Sequence, residues 1–252
     1  MAQIPRAQDQ LFDRRTSAAD KYAALVVGRP GWAALIKHEL VTMASQSTPG
    51  ALGLALRQAL YPMLLGACGR NVVFGQNVVL RHPHKIRIGD NVVIDDNCLI
   101  DAKGEANRGI SIGNGVFVGR NTILSCKNGD IDIEDGANIG FNCEIFSASA
   151  VRVGRDVLIA AYCYVIGGDH DYSDPSQSIL SQGRRSAGVT IGAGAWLGAG
   201  AKILDGVAVG EHAVVGAAAL VRESIPSRAI AVGIPAKVIG QRPLAAAAQA
   251  VE

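Results

Sequence analysis

His170 is the side chain best placed to do chemistry. It lies in GGDHDYSDP at 167–175, inside a 22-residue stretch, 167–188, that interrupts an otherwise regular pattern. An unperturbed imidazole titrates near pH ~6.5, so it can accept a proton from a weak nucleophile at neutral pH. The competing reading is a solvated loop side chain. His82 and His84, in RHPHK, have the spacing of a metal pair, but the proline between them reads as a turn. His38 falls in a helical stretch and His212 at a corner of the repeat, and both are expected on the surface. Cys68, Cys98, Cys126, Cys143 and Cys163 include no CxxC pair. This odd, scattered set reads as reduced thiols in a cytoplasmic protein. No metal site is expected.

The element that must hold such a loop is a repeat of six. Aliphatic residues recur at Ile88, Ile94 and Ile100, then at Ile112, Val118 and Leu124. The pattern resumes at Ile133, Ile139 and Ile145, at Val153, Ile159 and Val165, at Ile191, Leu197 and Ile203, and at Val209, Val215 and Val221. Phe74 and Leu80 suggest a less regular first turn. A period of six matches neither a 3.6-residue helix nor an alternating strand. It fits a short strand and a corner, three times per coil, stacked into a three-sided solenoid. That register aligns Cys98, Thr122, Cys143, Cys163, Ala201 and Ala219 as one inward column of small residues. The interruptions 101–110, 127–131, 147–151 and 167–188 all leave after the third aliphatic of a coil, so they project from one edge. Only the last exceeds the length of an ordinary loop, which marks it as functional.

Hydrophobic residues make up 49% and charged ones 18%, which excludes general disorder. A net charge of +2 is too balanced for a nucleic-acid binder that neutralises phosphates. No apolar run reaches a membrane span, and the N-terminus lacks the apolar core of a secretory signal. The chain divides into a helical region at 1–70, a repeat region at 71–240 and a tail at 241–252. Helices are expected over 18–28, 32–46 and 50–66, with Thr48-Pro49 as N-cap and first-turn proline. The PLAAAAQAVE tail reads as frayed or a short helix. Residues 1–70 carry eight Lys/Arg against four Asp/Glu. They either cap the open first rung of the solenoid or rest on an anionic membrane surface.

The repeat resembles the left-handed β-helix of the hexapeptide-repeat acyltransferases. The hand comes from that resemblance, since general crossover rules favour the other. Residues 133–240 resemble the galactoside-, maltose- and colanic-acid-type sugar O-acetyltransferases. The likeness rests on GFNCEIF at 140–146, the histidine loop, VTIGAGAWLGAGAKIL at 189–204 and AVGIPAKVIG at 231–240. It implies an acetyl-CoA-dependent transfer to a hydroxyl of a sugar or surface-polysaccharide precursor, with His170 as general base. It also implies a homotrimer with active sites between subunits, located in the cytoplasm or peripherally at the inner membrane face.

Further roles follow from the same resemblance. Asn142 matches an acceptor-positioning asparagine or is a corner turn residue. Glu144 supplies a carboxylate to the acceptor or to His170, or is solvated. Trp196 lines the acetyl-CoA groove or packs in a trimer contact. Backbone amides around Gly198, Ala199, Gly216 and Ala217 bind the pantetheine arm. Lys237 meets a coenzyme A phosphate or is a plain surface lysine, and Arg222 stands beside Glu223 where the family has a basic residue. Ser147-Ala148 replaces the family's acidic pair, which argues against a galactoside-like acceptor. Four alternatives differ in chemistry. Serine O-acetyltransferase has a longer helical part, sugar N-acetyltransferase uses the same fold, zinc carbonic anhydrase needs three converging histidines, and a non-catalytic scaffold needs no histidine loop.

Overall fold

The computed structural model describes Phe12 and residues 16–243. The expected repeat forms three parallel sheets wound as one solenoid. The first runs from Ala67–Cys68 to Ala208–Val209, the second from Val73–Phe74 to Ala229–Val232, and the third from Val79–Arg81 to Leu220–Val221. Each coil visits the three in order. Its strands are two to four residues long, and hydrogen bonds between coils hold them at the usual spacing of roughly 4.8 Å. The inward aliphatics stack in register, as in Ile88–Ile112–Ile133–Val153–Ile191–Val209. Phe74, Ile94, Ile100, Leu124, Ile139, Ile145, Ile159 and Ile203 are likewise buried.

The column of small residues lies at the corner between the second and third sheets, all of it buried. Cys98 Sγ donates to Gly119 O at 3.2 Å, Thr122 Oγ1 to Gly140 O at 3.0 Å, Cys143 Sγ to Ala160 O at 3.1 Å and Cys163 Sγ to Gly198 O at 3.2 Å. Each side chain fills the taper and satisfies a carbonyl of the next coil. Burial pushes the Cys98 thiol up to about 11, so it is not a thiolate at neutral pH.

Among the described residues three helices precede the coils: α1 (Ala18–Tyr22, continued as a π turn, Ala23–Val27), α2 (Trp32–Ser45) and α3 (Gly50–Leu60). They cover the first rung, whose strand edge would otherwise present unpaired backbone groups. Arg57, 3% exposed, donates from Nε to Phe74 O at 2.9 Å and from Nη1 to Ser45 O and Thr48 O at 2.9 and 2.8 Å. Tyr61 Oη donates to Val78 O at 2.8 Å.

Two local expectations need correction. Thr48 does not cap α3; its hydroxyl donates back to Ala44 O at 3.0 Å, and Pro49 occupies the cap position without a side-chain bond. His38 is not a surface residue. It is 3% exposed, wedged against the first coil with Nε2 3.5 Å from Leu80 O. At the far end, Lys237–Gln241 returns antiparallel to Ala229–Val232. The tail beyond Pro243 lies outside the described residues.

Candidate active site

The long loop leaves the third sheet at Tyr164–Gly167 and rejoins the first at Val189–Ile191. Gly168 is needed at the exit, because a Cβ there would crowd the Ala148 methyl at 2.6 Å. The base is pinned. Ser186 Oγ donates to Gly167 O at 2.8 Å and meets Ser149 Oγ at 2.7 Å, while Asp205 accepts from the amides of Ala187 and Gly188. From this base rises a two-stranded antiparallel ribbon that pairs Asp169–His170 with Arg184–Arg185.

His170 is half-buried and stands opposite Arg184. Its amide donates to Asp169 Oδ1 at 2.7 Å, so that carboxylate is occupied locally. Asp171 is occupied too. Its carboxyl accepts from Ser173 N at 3.0 Å, which holds it below the usual carboxylate range, and lies 3.8 Å from Arg185 Nε. The tip closes on Asp174, which accepts from Ser176 and Gln177 and is bridged by Gln182. The loop therefore has its own hydrogen-bonded frame. That frame holds His170 near the solenoid edge, as a positioned base requires.

The other candidates fall in two places. Asn142, with φ 54, is a left-handed corner residue between the second and third sheets, in the column of Asn97 and Asn121. Glu144 follows it on the outer face of the third sheet, half-buried and paired in register with Tyr164. Gly198, Ala199, Gly216 and Ala217 line the same corner. The amides of Gly198 and Gly216 are already given to Val215 O and Ala231 O, both at 2.8 Å. Those two glycines serve close coil approach, since a Cβ at Gly198 would lie 2.6 Å from Ala217 N. Ala199 and Ala217 are exposed, and their amides donate to no backbone oxygen among the described residues.

Trp196 is 46% exposed on the outer face of the second sheet, between Leu158 and Val214. In a three-sided prism that face lies opposite the edge bearing His170, so one chain does not bring the two together. Arg222 and Lys237 lie at the last coil, both exposed, with Arg222 Nε 3.9 Å from Glu223 Oε1. Sequence reasoning missed an aromatic cluster beside Asn142. Phe141 and Tyr162 pack edge to face at 5.8 Å, with the Arg120 guanidinium 5.3 Å over Phe141. Its only sequence signal was a tyrosine where the preceding coils place asparagine. Among the described residues no group of His, Cys, Asp and Glu could hold a metal ion.

Residues 188–223 match the model for the bacterial transferase hexapeptide (six repeats), and 68–102 and 131–166 match the hexapeptide repeat of succinyl-transferase. Those segments thus carry hexapeptide repeats of the transferase type, and the stacked parallel sheets match the left-handed β-helix expected of such repeats. A Mycobacterium tuberculosis protein named as an acetyltransferase is 34% identical over 146 residues, 57% of this chain and 49% of that protein. An Escherichia coli protein named as a lipopolysaccharide biosynthesis O-acetyl transferase is 34% identical over 118 residues, 44% of this chain and 60% of that one. The chain thus spans about half to three-fifths of these relatives' lengths. A mutant of AntD, an N-acyltransferase from Bacillus cereus in complex with dTDP and coenzyme A, superposes with TM-score 0.53 at 25% identity, covering 73% of this chain and 88% of that one.

Proposed function

We propose that this chain, built on a solenoid of transferase hexapeptide repeats, is an acetyl-CoA-dependent O-acetyltransferase acting on a hydroxyl of a sugar or surface-polysaccharide precursor. The observation that carries the reading is His170 held on a pinned ribbon at the edge of that solenoid. The acceptor oxygen attacks the thioester carbonyl carbon while the His170 imidazole takes the hydroxyl proton. The carbon–sulfur bond then breaks, and the departing thiolate recovers the proton from the imidazolium. The products are an acetyl ester and coenzyme A. Asn142, at the corner between the second and third sheets, and Glu144, on the face between that corner and the loop, position the acceptor.

The donor lies along the corner of Ala199 and Ala217, whose exposed amides suit a pantetheine arm, with Lys237 and Arg222 toward its phosphates. Trp196 faces away from its own chain's His170, so the complete site takes the histidine from one subunit and the tryptophan from another. That requirement supports a homotrimer.

Acceptors of a surface glycan are commonly lipid-linked, and the cap suits peripheral membrane contact. Trp32, Ile36, Leu40 and Met43 form an exposed apolar stripe along α2, with Trp32 69% and Met43 80% exposed. No helix among the described residues is long and apolar enough to cross a membrane. Transfer to a sugar amine is the second reading, favoured by the likeness to the N-acyltransferase. Acetylation of paired hydroxy- and amino-sugars separates the two.

Calorimetric titration with acetyl-CoA tests the donor assignment. Saturable binding that weakens in Trp196→Ala supports it, and absence of binding by folded protein refutes it.

A further inference from the structure

Between the helical cap and the loop-bearing edge lies a cavity of about 700 Å³. Arg29 lines it from the segment after α1, His82 and His84 from the first coil, and Lys85, Lys103 and Lys127 from successive coils. The proposed transfer does not use any of them.

The cations differ in what holds them. Lys85 Nζ is taken, donating to Gly104 O at 2.6 Å and Asn107 Oδ1 at 2.9 Å. Lys103 and Lys127 are half-buried, and among the described residues neither ammonium has an ion pair or hydrogen bond. Asp101, whose charge acts on Lys103, accepts from the Lys103 backbone amide at 3.1 Å and pairs with Arg81 at 3.7 Å. Both lysines titrate below their ordinary range. Desolvation is the first cause, and for Lys127 the charges of Arg184 and Lys103 add to it. Two desolvated ammonium groups that repel one another form a site that an anion would relieve.

The back wall is neutral. His82 Nε2 faces Ala24 O at 3.0 Å, and burial pulls the imidazole down to about 4. His84 is lowered for the same first reason and stacks on His82 at 6.1 Å. Of the two acids on the rim, Asp20 accepts the Ser17 hydroxyl at 2.7 Å and Glu105 is exposed. The positive charge therefore lies on Lys103, Lys127, Arg29 and the hydrogen-bonded Lys85. Lys127 is within electrostatic reach of Arg184, the partner of His170 across the ribbon. The cavity and the candidate base thus share one edge of the solenoid.

We infer that this cavity binds the phosphate or diphosphate of a glycosyl-phosphate acceptor, with Lys103 and Lys127 as ligands to its oxygens. The inference rests on the sugar-transferase reading and specifies the acceptor class. A multiply charged phosphate matches several unpaired cations, and the cavity has room for the diphosphate and part of the sugar.

The test titrates inorganic pyrophosphate into the full chain by calorimetry. Wild type binds, and Lys103→Gln/Lys127→Gln binds at least about tenfold more weakly, since charge-assisted bonds are lost. Arg152→Gln/Arg155→Gln removes the same charge from the first sheet and the turn that follows it and leaves the affinity within about twofold. Acetyl-CoA affinity, unchanged in both doubles, shows that they fold and separates failure of this inference from failure of the transferase reading. Equal pyrophosphate affinity in wild type and the lysine double, or none in wild type, overturns the site. Competition then identifies the source. Displacement by a nucleoside diphosphate sugar assigns a soluble acceptor, and displacement only by vesicles bearing a polyprenyl diphosphate assigns a lipid-linked one. Displacement by neither contradicts the acceptor assignment.

Discussion

At His82 burial works against charge, and the consequence is measurable. Its imidazole is pulled from 6.5 to about 4, with desolvation as the first cause. Between those values the unfolded chain binds more protons than the folded one, so stability falls as pH drops from about 6.5 toward 4. The full shift is worth roughly 3 kcal/mol, reached only near the lower limit. Carboxylate titration enters at the acid end, so the informative window is pH 5 to 6.5. There, urea unfolding of wild type should lose stability more steeply than His82→Asn, which keeps a residue suited to the left-handed backbone at φ 51. Parallel pH dependence in the two proteins would exclude this role for His82. His170 poses a different residue-scale question. Its loop and residue type are legible in the sequence. The ribbon that holds it is not, because a pairing of two residues on each side, His170 with Arg184, leaves no periodic signal.

At the scale of elements, the coils are legible because each aliphatic must point inward once per six residues, and any slip would turn it outward. The cap is legible as helices but not in its packing. Its inward surface is set by what the first rung leaves unpaired, so α2 buries His38 and Ser45 while Trp32, Ile36, Leu40 and Met43 face out. The same logic places a guanidinium in a buried joint. Arg57→Met should cost about 3 kcal/mol, since two buried carbonyls and one part-buried carbonyl lose their donor. Gly53→Ala should also destabilise, because a Cβ there would overlap the Thr48 carbonyl. Urea unfolding of both variants checks the cap. If Arg57→Met unfolds like wild type, the helices are an appendage. If the outward stripe serves lipid, Ile36→Ser/Leu40→Ser should abolish flotation with anionic vesicles while leaving acetyl-CoA binding intact.

The whole molecule places the two proposed site residues on opposite sides of one prism. His170 stands at the edge between the third and first sheets, and Trp196 on the second. This separation is the strongest internal argument for assembly, and light scattering should give a trimer mass. A mixed trimer of His170→Ala and Trp196→Ala chains should recover activity, because some interfaces then carry both native residues. The sequence alone leaves that geometry hidden. A repeat of six states which residues face outward but not which faces meet. The shared edge of cavity and loop is hidden for the same reason, since Lys103, Lys127 and His170 are joined only by the stacking of coils.

We propose that His170 is the base of an acetyl transfer. That role is tested most directly by following coenzyme A release from acetyl-CoA with a panel of phosphorylated and free sugars, for wild type and His170→Ala. Wild type should show acceptor-dependent release, and kcat should fall about 10²- to 10⁴-fold in the variant with acetyl-CoA binding unchanged. A folded variant that binds acetyl-CoA and turns over at near the wild-type rate would contradict it.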